Sequence, residues 1–143
     1  MECRWVEFGS EAYFQALALR DEVLRKPLGL SFDPESLALE KHDTHLVGLV
    51  HGVVVACCIL TAAGPDAKMR QVAVSFEKQG QKLGRSLVEF SEQKAREMGF
   101  KRMVLHARMG AVPFYQRLGY SIDSEEFIEV GIPHRSMSKL VEG

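Results

Sequence analysis

Residues 68–98 read KMRQVAVSFEKQGQKLGRSLVEFSEQKAREM and predict a strand, a polar loop and an amphipathic helix, in that order. The apolar and β-branched residues between Met69 and Val74 indicate the strand. Apolar positions then recur at steps of three and four, as in a helix that buries one face, at Leu83, Leu87, Phe90, Ala95 and Met98. The loop between these elements is therefore the part of the stretch that can carry chemistry.

The loop QGQKLGR, residues 79–85, places two glycines at the start of the helix, with Lys78, Lys82 and Arg85 close by. The first four N–H groups of a helix have no intrahelical partner, and the aligned peptide dipoles add roughly half a positive charge. The loop therefore predicts an anion site that suits a phosphate or a pyrophosphate. The alternative is a plain loop whose glycines serve turn geometry, and no dinucleotide or triphosphate fingerprint is present.

Two segments of the chain resemble the GCN5-related N-acetyltransferase (GNAT) family: VAVSFEKQGQKLGRSLVEF and VLHARMGAVPFYQRLGY. The family signature is Gln/Arg-x-x-Gly-x-Gly/Ala. Gln79 and Gly84 match its first and last positions, whereas Lys82 stands where the middle glycine belongs. We expect the loop to keep its shape if φ at Lys82 is negative, because the family uses this loop chiefly through backbone N–H groups, which lysine retains.

The resemblance implies that acetyl-CoA is the acyl donor and that an amine receives the acetyl group directly. The positions that match the family's cofactor-binding residues are Val72, Val74, Gln79, Gly80, Lys82, Gly84, Arg85, Arg108 and Tyr115. Arg108 stands where many members have Asn, so its contact is expected to differ. The alternatives are another acyl-CoA, another kind of acceptor, a CoA-binding sensor or scaffold without turnover, and a plain interaction domain.

Two of these positions carry catalytic roles in the family. Val74 matches the position whose backbone N–H stabilises the oxyanion, and Tyr115 matches the general acid that protonates the departing thiolate. A tyrosine with an ordinary pKa of about 10 is protonated at neutral pH and can act in this way. Without the family, Tyr115 reads as one aromatic residue that packs on an amphipathic helix.

The base that accepts the ammonium proton is open among His134, Glu129 and His106, and a water chain is the alternative. Of these three residues, His134 is the one that we predict to be catalytic. Residues 129–137 follow the pattern Glu-x-Gly-Ile-Pro-His-x-x-Met, which resembles the ElaA-like predicted acyltransferases of the family. The acceptor-binding candidates are His106, Glu129, His134 and Arg25.

The resemblance implies an α/β (α+β) GNAT fold, with a mixed, mostly antiparallel central sheet, two splayed parallel strands and flanking helices. The residues themselves indicate a hairpin over residues 44–60 that turns at His51-Gly52. The strand over residues 101–107 follows a helical crossover and should lie parallel to the strand that begins at Lys68. That earlier strand is expected near the centre of the sheet.

The first third of the chain carries no recognisable motif. We expect a strand over residues 4–8 and a helix that begins at Ser10 as N-cap and ends at Pro27. Residues 26–35 indicate an irregular connection. In the family this region borders the acceptor, so the candidate pocket residues are Arg20, Arg25, Leu28, Leu30 and Phe32, unless they only anchor the loop to the core.

The bulk composition limits the remaining classes. The 143 residues predict one domain over residues 1–143, and a net charge of −1 gives no basic stripe for nucleic acid. Cys57 and Cys58 should point to opposite faces of a strand, so together with Cys3 they are expected to be reduced, as in the cytoplasm. We expect no secretion leader and no membrane span, since the N-terminal residues lack a charged-then-apolar pattern and no apolar run reaches about eighteen residues, and we expect no zinc site from the spacing of the histidines. A homodimer is possible.

Overall fold

The structure is a computed structural model that describes residues 1–141; Glu142 and Gly143, the last residues of the predicted domain, lie outside the described residues. The strands are β1 Glu2–Val6, β2 Thr44–Val50, β3 Val53–Ala63, β4 Asp66–Val74, β5 Arg102–Arg108, β6 Ser121–Ile122, β7 Phe127–Glu129 and β8 Ile132–Leu140. The α-helices are α1 Glu11–Arg20, α2 Pro34–Ala38, α3 Leu83–Glu97 and α4 Val112–Arg117.

All eight strands belong to one sheet with the order β1-β2-β3-β4-β5-β8-β6, and β7 pairs with β8 off this path. Only β4 and β5 pair in parallel, through Ala67 opposite Met103 and Lys68 opposite Val104. Beyond these two pairs the strands separate, because β4 continues along β3 while β5 continues along β8. The predicted mixed sheet, with a central β4 and two splayed parallel strands, is confirmed.

A β-bulge in β4 changes which side chains face the opening between the splayed strands. The register of β3 against β4 shifts between Cys57 and Ile59, so that Gln71 and Val72 together lie opposite Cys58. Gln71 has a φ of 55°. An extra residue in one strand reverses the alternation of its side chains, so positions on the two sides of the bulge exchange faces.

The core lies on both faces of the sheet. On the α3 side the largest buried side chains are Leu46, Leu87, Met103, Leu105 and Met137. On the α1 side the cluster contains Val6, Ala16, Leu19, Val47 and Ala73. Cys58 belongs to the first cluster and Cys57 to the second, and both are free thiols, so the predicted reduced pair on opposite faces is confirmed.

The helix α3 follows the predicted pattern and supplies one wall of the opening. Leu87, Val88 and Ala95 are fully buried, and the helix ends before Gly99, whose φ of 89° is the left-handed conformation that ends many helices. The polar Glu92 on the same face is buried because it accepts hydrogen bonds from the Tyr120 hydroxyl (2.8 Å) and from a lysine ammonium. The predicted helix is confirmed.

The predicted N-cap is also confirmed, since the Ser10 hydroxyl accepts a hydrogen bond from the N–H of Tyr13 (3.2 Å). The end of this helix differs from the prediction: α1 continues into a π-helical turn, Asp21–Arg25, and a 3-10 turn, Lys26–Leu28. Pro27 therefore lies inside the second turn and does not end α1. The first strand lies two residues earlier than predicted.

Arg20 is part of the core and not of a pocket, which corrects one expectation for this segment. Its guanidinium forms two hydrogen bonds of 2.9 Å with the carboxylate of Glu40, and the side chains are 2% and 6% exposed. The pair links α1 to the 3-10 turn Leu39–His42 that precedes β2. This bidentate geometry satisfies two charges that would otherwise be costly to bury.

Two further observations concern residues 1–141 as a whole. No helix within them is long and apolar enough to cross a membrane. No group of three or more His, Cys, Asp or Glu side chains in this part of the chain has an arrangement that could hold a metal ion.

Candidate active site

Two cavities open at the gap between β4 and β5. The first, here called the loop cavity, has a volume of about 650 Å³ and lies against the loop before α3. The second, here called the histidine cavity, has a volume of about 500 Å³ and contains both histidines of the predicted site. Val72, Ala111 and Tyr115 line both cavities, so the two spaces meet at one wall.

The structure sorts the predicted residues into two groups. The predicted cofactor residues that line the loop cavity are Val72, Val74, Gln79, Gly80, Lys82, Gly84, Arg85 and Tyr115. The predicted acceptor residues that line the histidine cavity are Arg25, His106, Glu129 and His134. Arg108 was expected with the cofactor group but lies in the histidine cavity, where its guanidinium donates a hydrogen bond to the carbonyl oxygen of Leu24 (3.3 Å).

The loop before α3 contains two residues in the left-handed conformation. Gly80 has a φ of 84°, and Lys82 has a φ of 63° with a ψ of 18°. The condition of a negative φ at Lys82 is therefore not met: the backbone is glycine-like there, which costs a residue with a Cβ about 1–2 kcal/mol. The side-chain amide of Gln79 donates a hydrogen bond to the carbonyl oxygen of Val74 (3.1 Å) and ties the loop to the end of β4.

The N-terminus of α3 presents unpaired backbone N–H groups to the loop cavity. The N–H of Ser86 donates to the carbonyl oxygen of Lys82 (3.2 Å), so the N–H groups of residues 83–85 precede the first intrahelical bond. The basic side chains that line the cavity are Lys78, Lys82, Arg85 and Arg117. Although Arg85 also pairs with Glu89 (2.8 Å), the lining as a whole suits an anion.

Phe114 packs against the first turn of α3 at Gly84. A Cβ at Gly84 would lie 3.4 Å from Cζ of Phe114 and 3.6 Å from Cγ2 of Val74. The Phe114 ring packs edge-on against Tyr115, with ring centroids 5.0 Å apart. Both distances are ordinary van der Waals contacts, so an alanine would also fit at this position, as the Gly/Ala of the family signature allows.

The backbone N–H of Val74 points into the gap. The next N–H along the chain, that of Ser75, donates to the carbonyl oxygen of Val55 in β3 (2.8 Å). Successive N–H groups of an extended strand point to opposite sides, so the N–H of Val74 points away from β3 and toward the space between β4 and β5. This is the direction that an oxyanion donor in the gap requires.

Tyr115 lies in α4 on the wall that the two cavities share, and only 7% of the residue is exposed. Burial, with a smaller contribution from Cys58, raises the pKa of its hydroxyl well above the ordinary value. The hydroxyl is therefore protonated across the whole neutral and mildly alkaline range. A buried tyrosine of this kind can donate a proton and does not act as a base.

The side chains of the histidine cavity come from the face of the sheet that carries α1. Residues two apart in a strand share a face, so Lys68 and Arg70 lie together on β4, and His106 and Arg108 lie together on β5. The parallel pair of Lys68 with Val104 places both sets on the same face. Four polar side chains thus converge on one side of the opening.

Glu129 bridges the two histidines. Its Oε1 lies 2.9 Å from Nδ1 of His106, and its Oε2 lies 3.6 Å from Nε2 of His134. Nδ1 of His134 donates a hydrogen bond to the carbonyl oxygen of Ile132 (2.9 Å), because a carbonyl can only accept. His134 is buried at 3% exposure, whereas the His106 side chain is 32% exposed.

The surroundings of Glu129 keep its carboxylate ionised. Partial burial raises its pKa, but the hydrogen bond from His106 and the charges of His106, His134 and Lys68 together lower it below the ordinary value. A carboxylate that is held against an imidazole Nδ1 fixes the orientation of that ring. The arrangement leaves Nε2 of His106 as the imidazole nitrogen that is not engaged by Glu129.

The sequence prediction missed several residues that line the cavities. Lys68 and Arg70 were not named as site residues, although their spacing of two in a strand indicates that their side chains lie on the same face of the sheet. Phe114, which lines the loop cavity, was not named either. Nothing local indicates the left-handed Gln71, because its conformation follows from the register of β4 against β3.

A mixed sheet that is opened by two splayed parallel strands, with a helix N-terminus and basic side chains at the opening, defines an acetyltransferase type of fold. The chain belongs to the GNAT acetyltransferase family: the family model described as "Acetyltransferase (GNAT) domain" matches residues 22–141. The predicted family is therefore confirmed.

Two proteins of Bacillus subtilis (strain 168) are similar in sequence. One, provisionally named an acetyltransferase, is 32% identical over 115 residues, which cover 79% of this chain and 76% of that protein. The uncharacterized protein YyaT is 40% identical over 78 residues, 53% of this chain and 51% of its own length. The match to YyaT thus spans about half of that protein.

Solved structures share the fold at low sequence identity. Escherichia coli ElaA has a TM-score of 0.81 at 23% identity, with 97% of this chain and 99% of that chain covered. An aminoglycoside 6'-N-acetyltransferase complexed with coenzyme A has a TM-score of 0.83 at 13% identity, with coverages of 100% and 98%. A GNAT family acetyltransferase from Elizabethkingia anophelis with acetyl-CoA bound has a TM-score of 0.76 at 16% identity, with 97% of each chain covered.

Proposed function

We propose that this protein is an acetyl-CoA-dependent N-acetyltransferase that moves an acetyl group directly to the amine of a small molecule or peptide. One observation carries the proposal: Tyr115, a buried and protonated acid, lines both cavities at the place where they meet. A group that enters from one cavity and a group that enters from the other would therefore meet beside a proton donor.

The residues of the loop cavity fit the donor. The N–H groups of residues 83–85 and the ammonium of Lys82 would hold the pyrophosphate of acetyl-CoA. Phe114 and Val72 give the inner part of the same cavity an apolar lining that suits the pantetheine arm. When bound, acetyl-CoA supplies an activated acetyl group as a thioester.

The proposed transfer uses Val74 and Tyr115 on the donor side. The N–H of Val74 donates to the carbonyl oxygen as negative charge develops on it, an effect worth roughly 3–4 kcal/mol in other acyl-transfer sites. A new C–N bond forms and the C–S bond breaks with its electron pair on sulfur. The Tyr115 hydroxyl gives its proton to that sulfur, and the resulting phenolate takes up, directly or through water, the second proton that the nitrogen loses as the amide forms.

On the acceptor side we propose that His106 is the base and that Glu129 positions it. Nε2 of His106 takes one proton of the substrate ammonium, while Nδ1 is held by Glu129 at 2.9 Å. The geometry favours His106 over His134, because His134 is buried and its Nδ1 already bonds to a backbone carbonyl. His134 contacts the second carboxylate oxygen of Glu129, so we assign it a positioning role for Glu129 and His106.

The Tyr115→Phe variant tests the proposal, and Tyr13→Phe is its matched control. Tyr13 is also a buried tyrosine, at 3% exposure, but it lines neither cavity. We expect Tyr115→Phe to lower kcat about a hundredfold or more while acetyl-CoA still raises its melting temperature, and Tyr13→Phe to keep the wild-type kcat.

The outcomes separate the candidate functions. An unchanged kcat in Tyr115→Phe removes Tyr115 from the mechanism. A wild-type protein that acetyl-CoA stabilises but that acetylates no amine is a CoA-binding sensor or scaffold. Stronger stabilisation by a longer acyl-CoA identifies a different donor, and no stabilisation by any CoA ester overturns the enzyme proposal.

We further propose a cytoplasmic protein that acts without nucleic acid or membrane. All three cysteines are free thiols, and two are buried, which suits a reducing compartment. A homodimer is the proposed assembly, since C₂ pairs are the commonest form of soluble oligomer. Size-exclusion chromatography with light scattering tests the assembly, and a single species of monomer mass contradicts it.

A further inference from the structure

The histidine cavity contains more positive than negative charge. Four basic side chains line it, those of Arg25, Lys68, Arg70 and Arg108. The only carboxylate among its described lining residues is that of Glu129. That carboxylate bonds to His106 and also interacts with the charge of Lys68, so a single negative group faces four cations.

Three of the four cations have no carboxylate partner. Arg70 lies 3.8 Å from the carboxylate of Asp43. Within residues 1–141, by contrast, the side chains of Arg25, Lys68 and Arg108 form no ion pair within 4.0 Å. Unpaired cations that line a concave surface attract and hold anions.

Neutral contacts hold two of these three cations in place. The Arg25 guanidinium lies over the Phe32 ring, 4.6 Å from its centroid, and Arg108 donates to the backbone carbonyl of Leu24. Both arginines are therefore oriented by groups that leave their charge uncompensated. Lys68 is half-buried on β4 and faces the same cavity.

The cations are close enough to influence one another. The pKa of Arg25 is lowered, first by burial and then by the charges of Arg20 and Arg108; Glu40 opposes this shift, and Arg70 adds the smallest lowering contribution. Since Arg20 is itself paired with Glu40, the uncompensated repulsion comes from the cavity arginines. Mutual repulsion of this kind is relieved when an anion binds.

We propose that the acceptor is an amine that also carries an anionic group, a carboxylate or a phosphate. Arg25, Lys68 and Arg108 bind the anionic group, and the amine lies at His106 and Glu129. The inference rests on the proposed N-acetyltransferase function and narrows its substrate class. Polyamines and aminoglycosides are disfavoured, because each of their additional ammonium groups would enter a cavity of the same charge. A volume of about 500 Å³ suits a small molecule.

The first experiment compares amines that differ only in the anionic group. Release of CoA thiol is measured with glycine against glycinamide and with O-phosphoethanolamine against ethanolamine, and spermidine serves as the polycation. We expect kcat/KM for the preferred anionic amine to exceed that of its neutral partner about tenfold to a hundredfold. Equal or greater kcat/KM for neutral amines or spermidine overturns the proposal and leaves the enzyme function intact.

The second experiment detects the anion site without turnover. The loop cavity is first saturated with CoA, and the melting temperature is then followed with malonate or inorganic phosphate at constant ionic strength. We expect both anions to stabilise the wild type in the millimolar range, and the double variant Arg25→Gln/Lys68→Gln to lose at least nine-tenths of that shift. The control Lys41→Gln removes an exposed lysine outside both cavities and should keep the full shift.

The two experiments keep the proposals distinguishable. Stabilisation by CoA without any stabilisation by malonate or phosphate, or an equal anion shift in the double variant, overturns the anionic acceptor alone. An anion shift that depends on Arg25 and Lys68, in a protein that transfers no acetyl group, supports the anion site and overturns the enzyme. The two single variants of the pair then assign the anion contact to one side chain or to both.

Discussion

Lys82 offers a test in which one side chain affects stability and ligand affinity in opposite directions. Its left-handed backbone, with φ of 63°, costs a residue with a Cβ about 1–2 kcal/mol. Replacement by glycine removes this cost but increases the freedom of the unfolded chain by about 0.5–1 kcal/mol. The net expectation for Lys82→Gly is a gain of about 0.5–1 kcal/mol, or a melting temperature higher by about 2–5 °C.

The matched control is Lys82→Ala, which removes the same charge but keeps the Cβ and its strain. Both variants should bind acetyl-CoA about two- to fivefold more weakly than the wild type, because an exposed ammonium beside a phosphate contributes roughly 0.3–1 kcal/mol. Only Lys82→Gly should be stabilised. Urea unfolding without ligand and calorimetric titration with acetyl-CoA measure the two effects separately.

Two results would refute this reasoning. Equal stability of the glycine and alanine variants would mean that φ at Lys82 is negative in the free protein. Unchanged affinity in both variants at low salt would mean that the ammonium does not face the phosphates, and the helix N-terminus alone would then account for the anion site. The affinity loss should shrink as ionic strength rises, since exposed charges are screened.

The remaining predictions concern the core and the acceptor side. Glu40→Ala should cost about 3–5 kcal/mol in urea unfolding, because it leaves Arg20 buried and uncompensated, and a loss under about 1 kcal/mol would show that Arg20 reaches solvent. Burial raises the pKa of Cys57 and Cys58 from 9.0 to about 12, so their thiols stay protonated in the folded chain while they ionise in the unfolded one. Stability should therefore fall as pH rises above about 9, and both thiols should resist alkylation in the native state but react in urea; rapid native labelling would contradict their burial. Glu129→Gln should lower kcat/KM about tenfold to a hundredfold with little effect on melting temperature, and an unchanged pH–rate profile would remove Glu129 from the site.

The elements that the sequence predicted are those with a local signal. The hairpin at His51-Gly52, the N-cap at Ser10 and the helix end at Gly99 each depend on residues adjacent in the chain. The short helix α2 was missed although Asp33 accepts a hydrogen bond from the N–H of Glu35 (3.2 Å) at its start. Its five residues are too few to show a helical period.

The parts of the site that sequence could not provide depend on contacts between distant segments. Arg108 lies in the histidine cavity because of the point at which β5 separates from β4. The expectation that it would lie with the cofactor came from the family resemblance alone. The contact between Glu129 and His106 joins residues 23 positions apart through the pairing of two different strands with β8. Such contacts follow from strand register, which no local pattern encodes.

The charge of the histidine cavity also bears on how an amine becomes a nucleophile. An ammonium held about 6 Å from one uncompensated cation is destabilised by roughly 3 kcal/mol at an effective dielectric constant of about 20, which lowers its pKa by about two units. One anionic group of the substrate does not offset all three charges of Arg25, Lys68 and Arg108, so it keeps the molecule bound while the remaining positive charge would favour the neutral amine that attack requires. His106 then accepts a proton from a substrate ammonium whose pKa the cavity has already lowered. An acceptor without the anionic group would lose its ammonium proton more readily, but it would also lose the contacts that hold it in the cavity. The same three cations therefore link binding of the acceptor to its activation.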